Sequence, residues 1–306
     1  MRHPSRFLAP SLVTAAAMLA AACARNAANA GAHGHDTMAM PAGAAPAGAA
    51  ADDSTIAPGA ATAAARLARS PRHGEWVTIR TGPQAGDSLR LWVVYPQRST
   101  RAPVVIVVHE IFGLGTWIRS VADQLAADGF IAIAPDFLTG KVAVAPPDTV
   151  PAQVATAAIR TLDMDVVQRQ IDAAASYGMA LPAALPRYGI VGFCWGGSVS
   201  FQHAVHSPAL GASVVYYGTS PASASLASVR APVLGLYGGE DARVGATIPP
   251  ADSAMRALGK EFTHYSFAGA GHGFLRGQDQ KNGANLAAAR EAWPMTIRFF
   301  RTNLER

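Results

Sequence analysis

Ten residues near the middle of the chain constrain it most. Tyr188-Gly189-Ile190-Val191-Gly192-Phe193 read as a short apolar strand, Cys194 follows, and Trp195-Gly196-Gly197 lead into a helical pattern. A strand that turns at once into a helix leaves the residue at the turn on a strained backbone, and side chains at Gly192 and Gly196 would collide there. Such a turn presents one side chain at the end of a strand, so a sulfur stands where a nucleophile would. The pattern alone leaves a second reading open, because free cysteine is often a buried and inert core residue.

Cysteine usage bears on that choice. The chain has two cysteines, and the first lies beside an export signal. Arg2, His3 and Arg6 form a basic start, and Phe7 to Ala22 carry no charge. That stretch is too short to span a membrane comfortably and too near the start to be a core helix, so residues 1–22 predict a signal peptide. Two cuts stay open. Leu19-Ala20-Ala21-Ala22-Cys23 resembles a lipoprotein box with its leucine one position too far away, which would lipidate Cys23 and tether the protein to a membrane. Ala22-Cys23-Ala24 and Ala28-Asn29-Ala30 suit an ordinary signal peptidase. Either cut places the protein in the bacterial periplasm or on a membrane facing it. Cys194 is then the single cysteine of the folded domain. An unpaired thiol in an oxidising compartment has no intramolecular partner and risks oxidation, so its retention points to a chemical use.

A hydrophobic fraction of 50% with 15% charged residues is enough for a sizeable core in 306 residues. The net charge of +5 comes without any dense Lys/Arg run, which argues against nucleic acid as a partner. Residues 23–71 are rich in Ala, Gly, Pro and Thr and predict a disordered tail. His33, His35, Met38 and Met40 within it have copper-binding donors, but nothing fixes their geometry, so no metal site or cofactor is expected. From Glu75 the pattern is regular. Residues 75–81 and 88–96 alternate as a hairpin, and 103–109 and 130–135 are continuous apolar runs of the kind buried on both faces. Residues 116–128, 152–177, 197–206, 251–258 and 286–303 read as helices. Further strands fall at 188–193, 213–217, 232–237 and 262–267. The alternation predicts one α/β domain over 72–306, a mostly parallel central sheet with helices on both faces, expected as a monomer.

A parallel sheet gathers its functional loops at the carboxyl ends of its strands. Cys194 follows one strand, Gly238-Gly239-Glu240-Asp241 another, and Gly269-Ala270-Gly271-His272-Gly273-Phe274 a third. Nucleophile, acid, histidine is the chain order of α/β-hydrolases. His272 would take the thiol proton, and Asp241, in competition with Glu240, would orient its imidazole. His109-Glu110-Ile111-Phe112-Gly113 ends the first buried strand, where the amides of Ile111 and Trp195 would face a developing oxyanion. Glu110 is an acid at the mouth of this site, following six apolar residues and His109.

Together, Glu110-Ile111-Phe112-Gly113, Gly192-Phe193-Cys194-Trp195-Gly196-Gly197, Gly239-Glu240-Asp241 and Gly271-His272-Gly273-Phe274 resemble the dienelactone hydrolase family across about residues 75–303. The resemblance implies an α/β-hydrolase fold and a Cys194-His272-Asp241 triad that opens lactones or esters through a thioester. It implies that Glu110 contacts the thiol and helps ionise it when substrate arrives. Arg276 matches one of two arginines with which the family holds a substrate carboxylate. The second would fall in Asp136-Phe137-Leu138-Thr139-Gly140-Lys141, where Lys141 is the nearest cation, and a lysine lacks the bidentate fork of arginine. The sequence therefore predicts a hydrolase of small lactones or esters. A broad carboxylesterase and a non-catalytic binding protein on the same fold are the alternatives.

Overall fold

Alternation along the strands decides the architecture, because successive side chains leave opposite faces of a sheet. In β3 (Ala102–Val108), Val105 and Val107 join one buried cluster while Val104, Ile106 and Val108 join another on the opposite face. All seven residues of β3 are buried, as are all six of β4 (Ile131–Asp136). Both faces must therefore be covered.

The computed structural model describes residues 52–83, 87–142 and 150–305. The signal peptide, Cys23 and the His33/His35/Met38/Met40 cluster lie outside the described residues. Eight strands form one sheet in the order β1-β2-β4-β3-β5-β6-β7-β8. β1 (Gly74–Arg80) and β2 (Ser88–Val94) are the expected antiparallel hairpin, with Trp76 opposite Trp92. β2 joins β4 antiparallel. From there the pairing is parallel through β3, β5 (Ala184–Phe193), β6 (Ala212–Tyr216), β7 (Val233–Gly238) and β8 (Phe262–Phe267). On one face pack α1 (Ala60–Ala68), α2 (Thr116–Ala127) and the closing helix α8 (Ala284–Leu304). On the other pack α4 (Met164–Met179), α5 (Trp195–His206) and α7 (Ile248–Ala257). Two shorter helices complete the fold, α3 (Ala152–Ile159) and α6 (Ala242–Gly245).

Two expectations are corrected. The helix expected over 152–177 is two helices, α3 and α4. Asp163 Oδ1 accepts hydrogen bonds from the amides of Asp165 and Val166 at 2.8 and 3.2 Å, which caps α4 and stops a continuous helix from running through. The boundary of the ordered domain is also earlier than residue 72. Residues 52–71, expected in the tail, carry α1, and Ile56, Ala57 and Ala63 are buried in the core. Alanine-rich composition hid this segment: alanine is a strong helix former, and its small face buries against α2 without an obvious apolar stripe.

Candidate active site

The turn at Cys194 has the geometry its glycines predict. Cys194 has φ +56° and ψ −114°, a conformation rare for a residue with a side chain. A Cβ at Gly192 would overlap the Gly196 carbonyl, and one at Gly196 would strike the carbonyl oxygens of Val108 and His109. The strain is thus enforced by close backbone approach, and β5 and β6 hold it, with the Cys194 amide donating to Tyr216 O at 3.1 Å. The thiol is partly buried. Burial pushes its pKa up, the negative charge of Glu110 adds to the rise, and the Trp195 amide and Arg243 oppose it.

His272 and Asp241 come together from the ends of β8 and β7. The His272 Nδ1 stands 2.5 Å from Asp241 Oδ2, and the carboxylate is 8% exposed. A carboxylate can only accept, so Nδ1 carries the hydrogen of this bond and Nε2 is the nitrogen left for other work. Asp241 Oδ1 accepts from the Val244 amide at 3.3 Å, which fixes the carboxylate as the cap of α6. The competing acid, Glu240, points elsewhere and pairs with Lys281 Nζ at 2.7 Å on the surface. The histidine loop is stapled by the buried Asn285. Its Oδ1 accepts from Gly271 N at 3.0 Å and its Nδ2 donates to Gly277 O at 2.7 Å.

Glu110 is 5% exposed and meets Arg276, whose Nε lies 3.3 Å from Glu110 Oε2. Burial raises the Glu110 pKa to about 7 even though Arg276 lowers it. The Arg276 guanidinium also covers the ring of Phe112 at 4.9 Å. The Ile111 carbonyl is tied down by Thr156 Oγ1 at 3.3 Å. Asp136 ends β4, where its Oδ1 accepts from the Leu138 amide at 3.2 Å, and Lys141 stands in the loop that follows. Among the described residues no group of three His, Cys, Asp or Glu side chains is placed to hold a metal.

Two residues at this site have no role assigned from the sequence. Tyr217 sits one residue past β6 with φ +38°, is fully buried, and packs its ring edge-on to His272 at 5.2 Å. Its hydroxyl has no hydrogen-bond partner, and burial, with the charges of Glu110 and Cys194 adding to it, holds the group un-ionised far above the ordinary tyrosine range. The only hint in the sequence is a bulky residue before Gly218 at a strand end. His109 is the second. Its Nδ1 donates to Glu110 O at 2.8 Å and its ring stacks on Trp195 at 5.5 Å. Complete burial drops its pKa to about 4, so it supports Trp195 as a neutral ring.

A hydrolase fold with these loops has clear relatives. Residues 89–304 match the dienelactone hydrolase family, and the chain belongs to it. A Salmonella typhimurium protein assigned as a carboxymethylenebutenolidase is 32% identical over 263 residues, covering 81% of this chain and 95% of its own. A Bradyrhizobium protein assigned as a 2-oxo-3-(5-oxofuran-2-ylidene)propanoate lactonase is 31% identical, covering 75% of this chain and 94% of its own. Among solved structures, a Klebsiella pneumoniae protein assigned as a dienelactone hydrolase superposes with a TM-score of 0.65 at 27% identity, covering 75% of this chain and 98% of its own. The expected α/β-hydrolase fold and family are thereby established, and the chain is an ester or lactone hydrolase by class.

Proposed function

We propose that the protein hydrolyses small lactones or esters, preferably ones that bear an acid group, through a thioester on Cys194. The observation that carries this reading is the strained elbow, which holds a thiol at a strand end with the Trp195 amide directed at its sulfur. Strain of that kind persists where the presentation of one side chain matters.

The chemistry follows from the residues in place. The thiol rests protonated, because burial and the Glu110 charge both raise its pKa. A substrate acid group that engages Arg276 draws the guanidinium from Glu110, whose carboxylate then loses its lowering partner and becomes a stronger base beside the thiol. The proton leaves the sulfur for His272, directly or relayed through Glu110, and the thiolate attacks the carbonyl carbon. A C–S bond forms and the carbonyl π pair moves to oxygen, where the Ile111 and Trp195 amides receive it. Collapse breaks the C–O bond, and His272 protonates the leaving oxygen. Water, deprotonated by His272, then cleaves the thioester, and the thiol recovers its proton. Asp241 keeps Nδ1 protonated throughout, so Nε2 is the working nitrogen.

A resting thiol suits an oxidising compartment, because the thiolate is the species that oxidants attack. We read residues 1–22 accordingly as an export signal, with Cys23 either lipidated or removed, and the working form as a monomer. Intact-mass measurement of the protein from a bacterial host gives its starting residue and any acyl groups, and retention of residues 1–22 overturns export.

The test of the activity is turnover of a panel of lactones and aryl esters, with and without a free carboxylate. Turnover that survives Cys194→Ala unchanged, or absence of turnover across the panel, overturns the reading. Equal turnover of both substrate classes favours a broad carboxylesterase instead.

A further inference from the structure

The segment Asp52–Ala68 precedes the family-matched region and reaches the site from outside it. Three of its anchors bear on the site. Gln278 Nε2 donates to Ala57 O at 2.8 Å, and Trp117 Nε1 donates to Pro58 O at 2.8 Å. The third anchor is on a site residue: the Ala60 amide donates to the carbonyl oxygen of Arg276 at 2.7 Å. Ile56, Ala57 and Ala63 are buried in the core that α2 and α8 share, so α1 is packed in place and does not lie loosely on the surface.

Between α1 and the site lies a cavity of about 220 Å3. Glu110, Phe112 and Arg276 line one side, and the start of α2 closes another. Opposite them α1 presents only methyl groups, from Ala60, Ala63 and Ala64. Ala63 is buried in the core, whereas Ala60 and Ala64 are exposed, so their side chains set the room that remains. The lining has a matching chemistry. Arg276 supplies one positive charge, and the Phe112 ring and the alanine methyls supply apolar sides.

We propose that α1 is the outer wall of the substrate pocket, and that Ala60 and Ala64 fix the length of the acid-bearing chain that fits beside Glu110 and Arg276. The ligand class is a short, unbranched acyl chain ending in a carboxylate. This rests on the reading of the protein as a Cys194 ester hydrolase and adds the element that sets its size limit. A side chain added to this wall meets the substrate directly, and each methylene that no longer fits weakens transition-state binding by about 1–3 kcal/mol, roughly ten- to two-hundredfold.

The experiment uses the mature protein and p-nitrophenyl esters of acetate, succinate, glutarate and adipate. Ala64→Leu and, independently, Ala60→Val are expected to lower the ratio of kcat/KM for the adipate hemiester to that for the acetate ester by about tenfold or more. Ala65→Leu, the same change on a neighbouring exposed residue that does not line the cavity, is expected to leave the ratio unchanged. Circular dichroism confirms folding, and Ala60→Val carries the test where Ala64→Leu does not fold. An unaltered length profile in the folded variants overturns the wall. Failure of the hydrolase reading is separately visible as absence of turnover of every ester by the unmodified protein. Calorimetric titration with adipate then decides. Weaker adipate binding by Ala64→Leu than by Ala65→Leu supports the wall, and equal affinity, or none in any of the proteins, overturns it.

Discussion

Arg276 and Glu110 form an unequal pair: the guanidinium is 41% exposed at the pocket mouth while the carboxylate it meets at 3.3 Å is 5% exposed. The exposed partner is free to exchange Glu110 for an incoming carboxylate at little desolvation cost. The buried one has no such option, and it lies close enough to Cys194 to raise the thiol pKa. In the proposed reaction a substrate charge would thereby be sensed at the surface and felt at the sulfur.

Arg276→Ala should raise KM for acid-bearing lactones about ten- to hundredfold relative to neutral aryl esters, the worth of roughly 1.5–3 kcal/mol in a charge-assisted hydrogen bond. Steady-state kinetics on matched substrates checks this. Equal sensitivity of the two classes removes the argument for an anionic substrate.

Cys194→Ala should abolish turnover, and Cys194→Ser should leave at most weak activity, because a hydroxyl needs a stronger base than a thiol does. His272→Ala should slow turnover by on the order of a thousandfold or more, since both proton transfers are lost. Asp241→Asn should be severe and Glu240→Gln mild, because Glu240 is engaged on the surface by Lys281. The opposite ranking in kcat/KM would reassign the acid.

Tyr217→Phe separates stability from rate. The buried hydroxyl has no partner, so its removal should leave thermal stability equal or raise it by about 1 kcal/mol. It also takes a neutral donor away from the neighbourhood of Cys194 and Glu110. The expected result is a kcat lower by about tenfold in a protein of undiminished melting temperature, the worth of one hydrogen bond that the hydroxyl would gain only when the reaction develops charge beside it. Unchanged kcat assigns the ring to packing alone.

Much of this site is legible in the sequence because backbone constraints write themselves as residue types. Gly192 and Gly196 are glycines for lack of space, Cys194 and Asp241 follow strands whose apolar runs are unmistakable, and His272 follows the more polar, half-exposed β8. Side-chain partnerships across loops leave no such trace. Nothing in the sequence near Arg276 announces Glu110, 166 positions earlier in the numbering, or separates Glu240 from Asp241. Tyr217 is hidden for a related reason, since a positive φ at a non-glycine residue is imposed by its surroundings and has no signature of its own. The α1 wall is hidden by composition. Alanines that read as a featureless tail are what a helix needs when it must pack closely and still leave a cavity.

Glu110→Gln should make the protein more stable at alkaline pH and change it little in acid. The folded-state pKa of Glu110 is about 7, above the 4.5 of an ordinary glutamate, with burial as the main cause. Below pH 4.5 the residue is protonated both folded and unfolded, and it carries no penalty. As pH rises from 4.5 toward 7 the unfolded chain ionises there while the folded one resists, and folding stability is lost across that window. Above pH 7 the full penalty applies, on the order of 3 kcal/mol for a nearly buried group. Glutamine has no proton to lose and escapes it. The buried His109 and His203, whose pKa values are lowered to about 4 and about 3, make both proteins less stable as pH falls below about 6.5. They contribute equally to the two and cancel in the difference. Urea denaturation of both proteins from pH 4.5 to pH 8.5 measures it. A stability difference that grows with pH is the expected outcome, and one that stays flat shows that Glu110 does not titrate in this window.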